Sequence, residues 1–304
     1  MADGVSAWVF PGQGSQETGM GRDLYETFPA ARDLFDRADV VLDRPLSRLC
    51  FEGPADELNR TVNAQPAMYV TSLACLAAAQ AEGAVPEPAF VAGHSLGEYT
   101  ALAAAGAMEF EAGLRLVEER GRLTQAAADA TPGGLAAVLG LDEAATQAVC
   151  DEAGVELCNI NSPGQLVIGG RRDALERACA LALERGARRA IALDVTGAFH
   201  TSLMQPAVEG MTRAVSSTKL EPPRVPFVAN STARPMTEPE EIGDELVYQL
   251  THPVRWVQCV EYMAANGVTA VIEFGPGRVL TGLIKRIAPN VELRNINGAS
   301  SIRP

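Results

Sequence analysis

A serine flanked by two glycines is the feature of this sequence best suited to covalent chemistry. Ser95 lies between Gly93 and Gly97, directly after an apolar run that begins at Phe90. The G-x-S-x-G spacing is typical of a nucleophile elbow, where small flanking residues allow a sharp turn between a strand and a helix. Free amides at the helix start, that of Leu96 among them, could then stabilise an oxyanion. The pattern also fits an ordinary βα turn with an N-capping serine.

A nucleophilic serine needs a general base, and the chain contains three histidines. His94 precedes the serine at the turn, so its side chain should diverge from Ser95, and His252 is predicted in a loop between helices. His200 follows a glycine and an aromatic residue at a predicted strand-to-helix transition, where catalytic side chains gather in α/β proteins. We favour His200 as the base, although its position also fits a histidine that packs a helix start. No acid stands in an obvious Ser, Asp, His order, so a main-chain carbonyl could orient the ring.

Two further polar residues lie where such a site could use them. Arg120 lies near the apolar face of an amphipathic helix predicted from Glu109 to Asp129, where an arginine can also extend to solvent. Gln13 lies on a glycine-rich turn after the first predicted strand, where it would either line a pocket or be solvated. That turn lacks the third glycine of a dinucleotide-binding loop and the lysine of a P-loop, so phosphate binding is not expected.

The composition is typical of a globular protein that binds neither nucleic acid nor membrane. The chain has 304 residues, 47% of them hydrophobic and 21% charged, with a net charge of −13. Nucleic-acid affinity depends on basic residues, and no apolar run reaches the ~18 residues that span a bilayer. The segment from Met1 to Phe10 lacks the pattern of a secretory leader, which predicts a cytoplasmic protein. The six cysteines show no C-x-x-C spacing, so no metal is expected, and no cofactor is predicted.

An anionic partner would have to use a local basic patch. Paired arginines occur at 171–172 and at 188–189, and a third group, here called the C-terminal basic cluster, comprises Arg278, Lys285 and Arg286. Each group also fits a solvated surface.

The order of predicted elements indicates an α/β protein with two units. Five predicted strands alternate with helices, at 6–10, 90–93, 225–230, 268–274 and 291–296. This alternation predicts a mostly parallel sheet with helices on both faces, and one of the helices is expected from Asp23 to Arg37. Within 132–195 the order is βαββαβ, that of a ferredoxin-like unit. The predicted domains are a large unit, 1–131 and 196–304, and a small inserted unit, 132–195.

Seven motifs in order along the chain are more specific than any one of them. They are Phe10-Pro11-Gly12-Gln13-Gly14-Ser15-Gln16, Gly93-His94-Ser95-Leu96-Gly97-Glu98-Tyr99, Arg120-Gly121, Asn161-Ser162-Pro163-Gly164-Gln165, Gly197-Ala198-Phe199-His200, Gln249 with Pro253-Val254, and Glu273-Phe274-Gly275-Pro276-Gly277. Together they resemble the malonyl-CoA:acyl carrier protein transacylase family over nearly the whole chain. The resemblance implies a hydrolase-like α/β fold with a ferredoxin-like insertion.

The resemblance also implies roles for the residues that match. Ser95 would take the acyl group, and His200 would be its base, with the main-chain carbonyl of Gln249 orienting the ring. The amides of Gln13 and Leu96 would form the oxyanion hole. The implied reaction is ping-pong: malonyl-CoA loads the serine, CoA leaves, and the phosphopantetheine thiol of an acyl carrier protein attacks the ester.

Substrate selection would depend on four further residues. Arg120 would pair with the free carboxylate of malonyl, because the guanidinium fork matches a carboxylate, and Asn161 would also bind substrate. Phe199 resembles the phenylalanine of malonyl-type members, where methylmalonyl-type members usually carry serine. Thr124 stands where the family often has methionine, so we expect an altered pocket wall.

Two other classes of function are weighed against the transferase. An acyl hydrolase of the same fold is the alternative to a transferase, and Arg120 argues against it because neutral acyl chains give a buried cation no partner. A silent carrier-binding module would lack Ser95 or His200. Since family carriers are acidic, we expect the carrier, from fatty-acid or polyketide synthesis, to dock on the C-terminal basic cluster.

Overall fold

The structure, a computed structural model, describes residues 4–195 and 197–302. Its strands are β1 Val5–Phe10, β2 Phe90–Gly93, β3 Gly133–Leu139, β4 Glu156–Ser162, β5 Gln165–Arg171, β6 Arg189–Ala192, β7 Phe227–Val228, β8 Pro235–Met236, β9 Val268–Phe274 and β10 Glu292–Ile296. Its α-helices are α1 Arg22–Thr27, α2 Pro29–Leu42, α3 Leu46–Glu52, α4 Ala55–Asn59, α5 Thr61–Ala81, α6 Gly97–Ala104, α7 Phe110–Ala130, α8 Glu143–Ala153, α9 Arg172–Glu184, α10 Gln205–Ser216, α11 Pro239–Tyr248, α12 Trp256–Ala265 and α13 Val279–Ile287.

Six strands form sheet A in the order β10-β9-β1-β2-β7-β8. All neighbours pair in parallel except β7 and β8, which are antiparallel. Strand β1 lies in the centre of the sheet, where Trp8 is in register with Val91 on one side and Ile272 on the other. Its residues from Ser6 to Phe10 are all buried, as expected for a strand covered on both faces. The prediction of a mostly parallel sheet in an α/β fold is confirmed.

Four strands form a separate, fully antiparallel sheet B in the order β4-β5-β3-β6. Helices α8 and α9 pack on it around a core that includes Val149, Ile168 and Leu175. The chain order is the predicted βαββαβ, and each strand of sheet B lies within 132–195. Thr196, where the large unit is predicted to resume, lies outside the described residues, as do residues 1–3 and 303–304 of the predicted large domain.

Two local predictions were wrong, and both errors involve proline. The helix expected from Asp23 to Arg37 is two helices, because Pro29 has no N–H for a continuing helix and instead begins α2. The strand expected at 225–230 is reduced to β7, since Pro226 cannot donate to a sheet. In 4–195 and 197–302, no helix is both long and apolar enough to cross a membrane.

Candidate active site

Ser95 lies in the turn between β2 and α6, with a φ of 53° that a non-glycine residue rarely adopts. The flanking glycines make this turn possible. A Cβ on Gly93 would overlap the main chain of Gly97, and a Cβ on Gly97 would overlap the main-chain oxygen of Phe10. The sequence spacing therefore corresponds to a strained turn that only glycine at both positions allows.

The side chain of His200 reaches Ser95 from the segment that follows sheet B. Its Nε2 atom is 2.7 Å from Ser95 Oγ, and its Nδ1 atom is 2.7 Å from the main-chain oxygen of Gln249. A carbonyl oxygen can only accept, so Nδ1 carries the proton and Nε2 is left to accept from the serine hydroxyl. This arrangement gives the serine a neutral imidazole as its hydrogen-bond acceptor, oriented without a carboxylate.

Burial keeps His200 neutral. Desolvation, followed by the positive charge of Arg120, lowers the pKa of His200 from 6.5 to about 3, against the opposing hydrogen bond to Gln249. Burial likewise lowers the pKa of His94, against its hydrogen bond to Asn161. At neutral pH both rings are therefore uncharged, and His200 can act as a base.

Arg120 is buried, with 4% of its surface exposed, and it projects from α7 toward the serine. Its Nη1 atom donates to Gln65 Oε1 at 2.9 Å, and its Nη2 atom donates to Gln249 Oε1 at 2.9 Å and to Ser95 Oγ at 3.2 Å. The guanidinium also lies 5.3 Å from the ring centroid of Tyr99. All of these partners are neutral, so the cation has no direct ion pair among the described residues.

Ser95, His200 and Arg120 line a cavity of about 330 Å³. Sheet B contributes Leu135 and Val167 to its apolar wall, and α13 contributes Leu280 and Leu283. Four predicted substrate or oxyanion residues line it, namely Gln13, Arg120, Asn161 and Phe199. A larger groove of about 900 Å³ lies elsewhere and contains neither the serine nor His200 among its lining residues.

Apart from the C-terminal basic cluster, three predicted residues lie outside this lining, namely Thr124, Leu96 and Gln249. Thr124 is buried and its hydroxyl donates to the carbonyl of Arg120 at 2.8 Å, so it does not itself line the cavity, and its effect on the pocket wall stays a prediction. The Leu96 side chain is buried in the core. Its amide, like that of Gln13, donates to no protein acceptor in the described part of the chain, so their use as an oxyanion hole stays a prediction.

His94 diverges from Ser95, as the turn predicts. Its Nε2 atom is 2.8 Å from Asn161 Oδ1 on β4, and its ring contacts Trp256 edge to face. His252 donates through Nδ1 to the carbonyl of Tyr248 at 2.8 Å, beyond the end of α11. Of the three histidines, His200 contacts the serine side chain.

The acyl transferase domain model matches residues 7–297, which is nearly the whole chain. The chain belongs to this acyl transferase family. It is 47% identical over 286 residues to the malonyl CoA-acyl carrier protein transacylase of Bacillus subtilis, a match that covers 92% of this chain and 90% of that one.

Solved structures of the family share the whole fold. An acyl carrier protein S-malonyltransferase from Vibrio cholerae superposes with a TM-score of 0.94 at 42% identity, covering 98% of each chain. A malonyl-transacylase solved in complex with a type II polyketide synthase acyl carrier protein gives a TM-score of 0.94 at 40% identity, covering 98% of this chain and 97% of that one. The resemblance inferred from the seven motifs is confirmed.

Sequence reasoning gave no role to three buried polar residues that support the site. They are Gln65 on α5, Glu98 on α6 and Asn230 just beyond β7. The available signal was a polar side chain inside an otherwise apolar segment, because such a group must find a partner when it is buried. Gln65 and Glu98 both carry that signal.

The C-terminal basic cluster lies beside the cavity. All three of its residues are exposed, on or next to α13. Arg286 donates to Gln165 Oε1 at 2.7 Å, and Gln165 lines the cavity together with Leu283 of the same helix. The cluster is thus joined to the wall of the cavity, and its use in docking stays a prediction.

Proposed function

We propose that this chain transfers malonyl from coenzyme A to the phosphopantetheine thiol of an acyl carrier protein through an acyl-Ser95 intermediate. The observation that carries the proposal is the 3.2 Å contact between Arg120 Nη2 and Ser95 Oγ. In malonyl, a single methylene separates the thioester carbonyl from the carboxylate. A cation this close to the nucleophile can therefore hold that carboxylate while the carbonyl is attacked.

The first half-reaction begins with proton transfer. His200 Nε2 accepts the proton as Ser95 Oγ bonds to the thioester carbon, and the charge develops on the carbonyl oxygen. The amides of Gln13 and Leu96 are the donors we assign to that oxygen. Collapse breaks the carbon–sulfur bond, His200 returns the proton to the leaving thiolate, and CoA departs with the ester left on Ser95.

The second half-reaction is the same chemistry in reverse. The carrier thiol gives its proton to His200 and attacks the ester, and the serine recovers the proton as it leaves. The Gln249 carbonyl stabilises the imidazolium that forms in both halves. The carrier approaches across the C-terminal basic cluster, and the relative that was solved with a carrier supports such a partner.

Arg120 separates this proposal from hydrolysis of neutral acyl groups. Its Nε atom is buried without a hydrogen-bond partner among the described residues, so the guanidinium keeps a donor for a further acceptor. A carboxylate supplies both that acceptor and a direct ion pair. We place the reaction in the cytoplasm and assign residues 132–195 to a small domain that covers the serine.

Intact-mass measurement tests the proposal. After mixing with malonyl-CoA, the parent chain should gain one malonyl group, and holo carrier should then remove it. Ser95→Ala should gain none. A malonyl label that persists on Ser95→Ala contradicts the assignment, and discharge by water as fast as by carrier indicates a hydrolase.

A further inference from the structure

A buried carboxylate links the serine turn to the arginine. Glu98 is fully buried on the first turn of α6, three residues after Ser95. Its Oε1 atom accepts from the main-chain amide of Asn230 at 2.6 Å, and its Oε2 atom accepts from the side-chain Nε2 of Gln249 at 2.5 Å. Both oxygens act as acceptors in this geometry. Burial, followed by the charge of Glu245, raises the pKa of Glu98 well above its ordinary value, against the opposing hydrogen bonds from Gln249 and Asn230.

The hydrogen bonds that start at Glu98 Oε1 support the turn that carries Ser95. Asn230 Oδ1 accepts from the Ser95 amide at 2.7 Å, and Asn230 Nδ2 donates to the carbonyl of Gly93 at 2.7 Å. These two bonds hold the strained turn from both sides. Glu98 fixes the main chain of Asn230 beneath it.

The hydrogen bonds that start at Glu98 Oε2 lead to Arg120, the cation assigned to the carboxylate of the substrate. Gln249 Nε2 donates to Glu98 and, at 3.1 Å, to the carbonyl of Ser95, while Gln249 Oε1 accepts from Arg120 Nη2 at 2.9 Å. An amide has one accepting end and one donating end. The two acceptors on its donating side therefore determine that its oxygen faces the guanidinium.

We propose that Glu98 is a positioning residue that fixes the Gln249 amide with its oxygen toward Arg120 and thereby aims the guanidinium at the carboxylate of the acyl group. This inference rests on the proposed malonyl transfer. Among the described residues Glu98 makes no hydrogen bond to the serine side chain or to the arginine, and it acts on the arginine through Gln249. Its effect is on the choice of acyl group, and the serine and its base remain in place.

Replacing Glu98 by glutamine separates the two branches. The main-chain amide of Asn230 can only donate. The oxygen of the new glutamine must therefore face that amide, and its NH₂ group must face Gln249. Two donors then meet, and Gln249 either loses a partner or turns its own NH₂ group toward Arg120. In the first case the Gln249 amide is no longer held by residue 98, and in the second the guanidinium loses an accepting contact. The bond to Asn230 is kept in both.

The experiment compares malonyl-CoA and acetyl-CoA loading for the parent and Glu98→Gln by kcat/KM. We expect malonyl loading to fall by about 10-fold or more, as for the loss of one buried hydrogen bond to a charged group, with acetyl loading changed by less than about 3-fold. Equal losses for both substrates would mean that Glu98 only holds the fold. Increased malonyl loading would mean that its charge merely neutralises Arg120. Either result overturns the inference.

Two further variants make the test specific. Gln249→Leu removes the amide but keeps the main-chain carbonyl, so it should lose malonyl selectivity by itself and abolish the effect of adding Glu98→Gln. Gln249→Leu with parent selectivity would overturn the inference even if Glu98→Gln failed to fold.

Glu245→Gln is the matched control, because this buried carboxylate bonds the main-chain amide and the hydroxyl of Ser231, and a hydroxyl can accept from glutamine. It should keep the parent selectivity. A parent that never loads malonyl refutes the proposed function instead.

Discussion

The Nη2 atom of Arg120 lies 3.2 Å from Ser95 Oγ, so the residue assigned to the substrate carboxylate also donates to the nucleophile. The same positive charge is the second cause, after burial, of the low pKa of His200. A carboxylate bound to Arg120 would offset that charge. Substrate binding would then raise the basicity of His200 at the moment when a base is needed.

The first prediction follows from the pKa of His200, which is about 3 in place of 6.5. The neutral ring is the base, so acetyl-CoA loading should stay constant as the pH falls from 7.5 through 6.5, and decline only at lower pH. Arg120→Ala removes a charge that lowers this pKa. In this variant the loss of acetyl-CoA loading at acidic pH should therefore begin at a higher pH than in the parent. Acetyl-CoA is used because it has no carboxylate of its own to titrate. An acid limb near pH 6.5 in the parent would contradict the prediction.

The second prediction concerns the elbow glycines. Gly97→Ala should destabilise the fold by at least about 2 kcal/mol, because its Cβ would overlap the main-chain oxygen of Phe10, which the strand holds fixed. Gly282→Ala is the control, since nothing lies within 4 Å of its Cβ and it is inside α13. There alanine should stabilise the helix by about 0.5–1 kcal/mol. Denaturant unfolding of both variants measures the two changes in the free energy of unfolding. Equal changes would mean that steric overlap at position 97 does not determine the stability.

These two cases show how far the sequence could predict the site. The glycine spacing around Ser95 predicts the turn, because the steric requirement is local and appears as residue type. From the residues alone, a main-chain carbonyl was one possible partner of His200, and the family resemblance was needed to assign it to Gln249. Glu98 and Asn230 are 132 residues apart. No periodicity predicts such a contact, which depends on how β7 lies beside β2 in the folded sheet.

The third prediction tests carrier docking on the C-terminal basic cluster. Replacing all three residues of the cluster with glutamate should raise the carrier KM by about 10-fold at low salt, because three exposed ion pairs with the carrier would be lost. The increase should be smaller at high salt. Loading from malonyl-CoA should change by less than the carrier KM, although Arg286 also contacts Gln165 in the cavity wall. Arg172→Glu, an exposed charge at the start of α9, is the control. An unchanged carrier KM at low ionic strength would place docking on another face.

The fourth prediction concerns Phe199, which lines the cavity with Ser95. An α-methyl group that finds no room beside this ring costs ~1–3 kcal/mol, so malonyl should exceed methylmalonyl by roughly 10- to 100-fold in kcat/KM. Phe199→Ser should narrow the ratio by making room. The comparison uses both CoA esters on both proteins, and an unchanged ratio in the variant would exclude Phe199 as the selecting residue.

The last prediction is that Arg120 selects the carboxylate. Removing one partner of a desolvated charge pair costs ~3 kcal/mol or more, so Arg120→Ala should reduce malonyl loading by at least ~100-fold in kcat/KM. Acetyl has no carboxylate to lose, so its loading should fall little or rise. The substitution also leaves Gln65 and Gln249 without their donor, and thermal unfolding of the variant measures that structural cost. If acetyl loading falls as much as malonyl loading, Arg120 stabilises the fold and does not select the substrate.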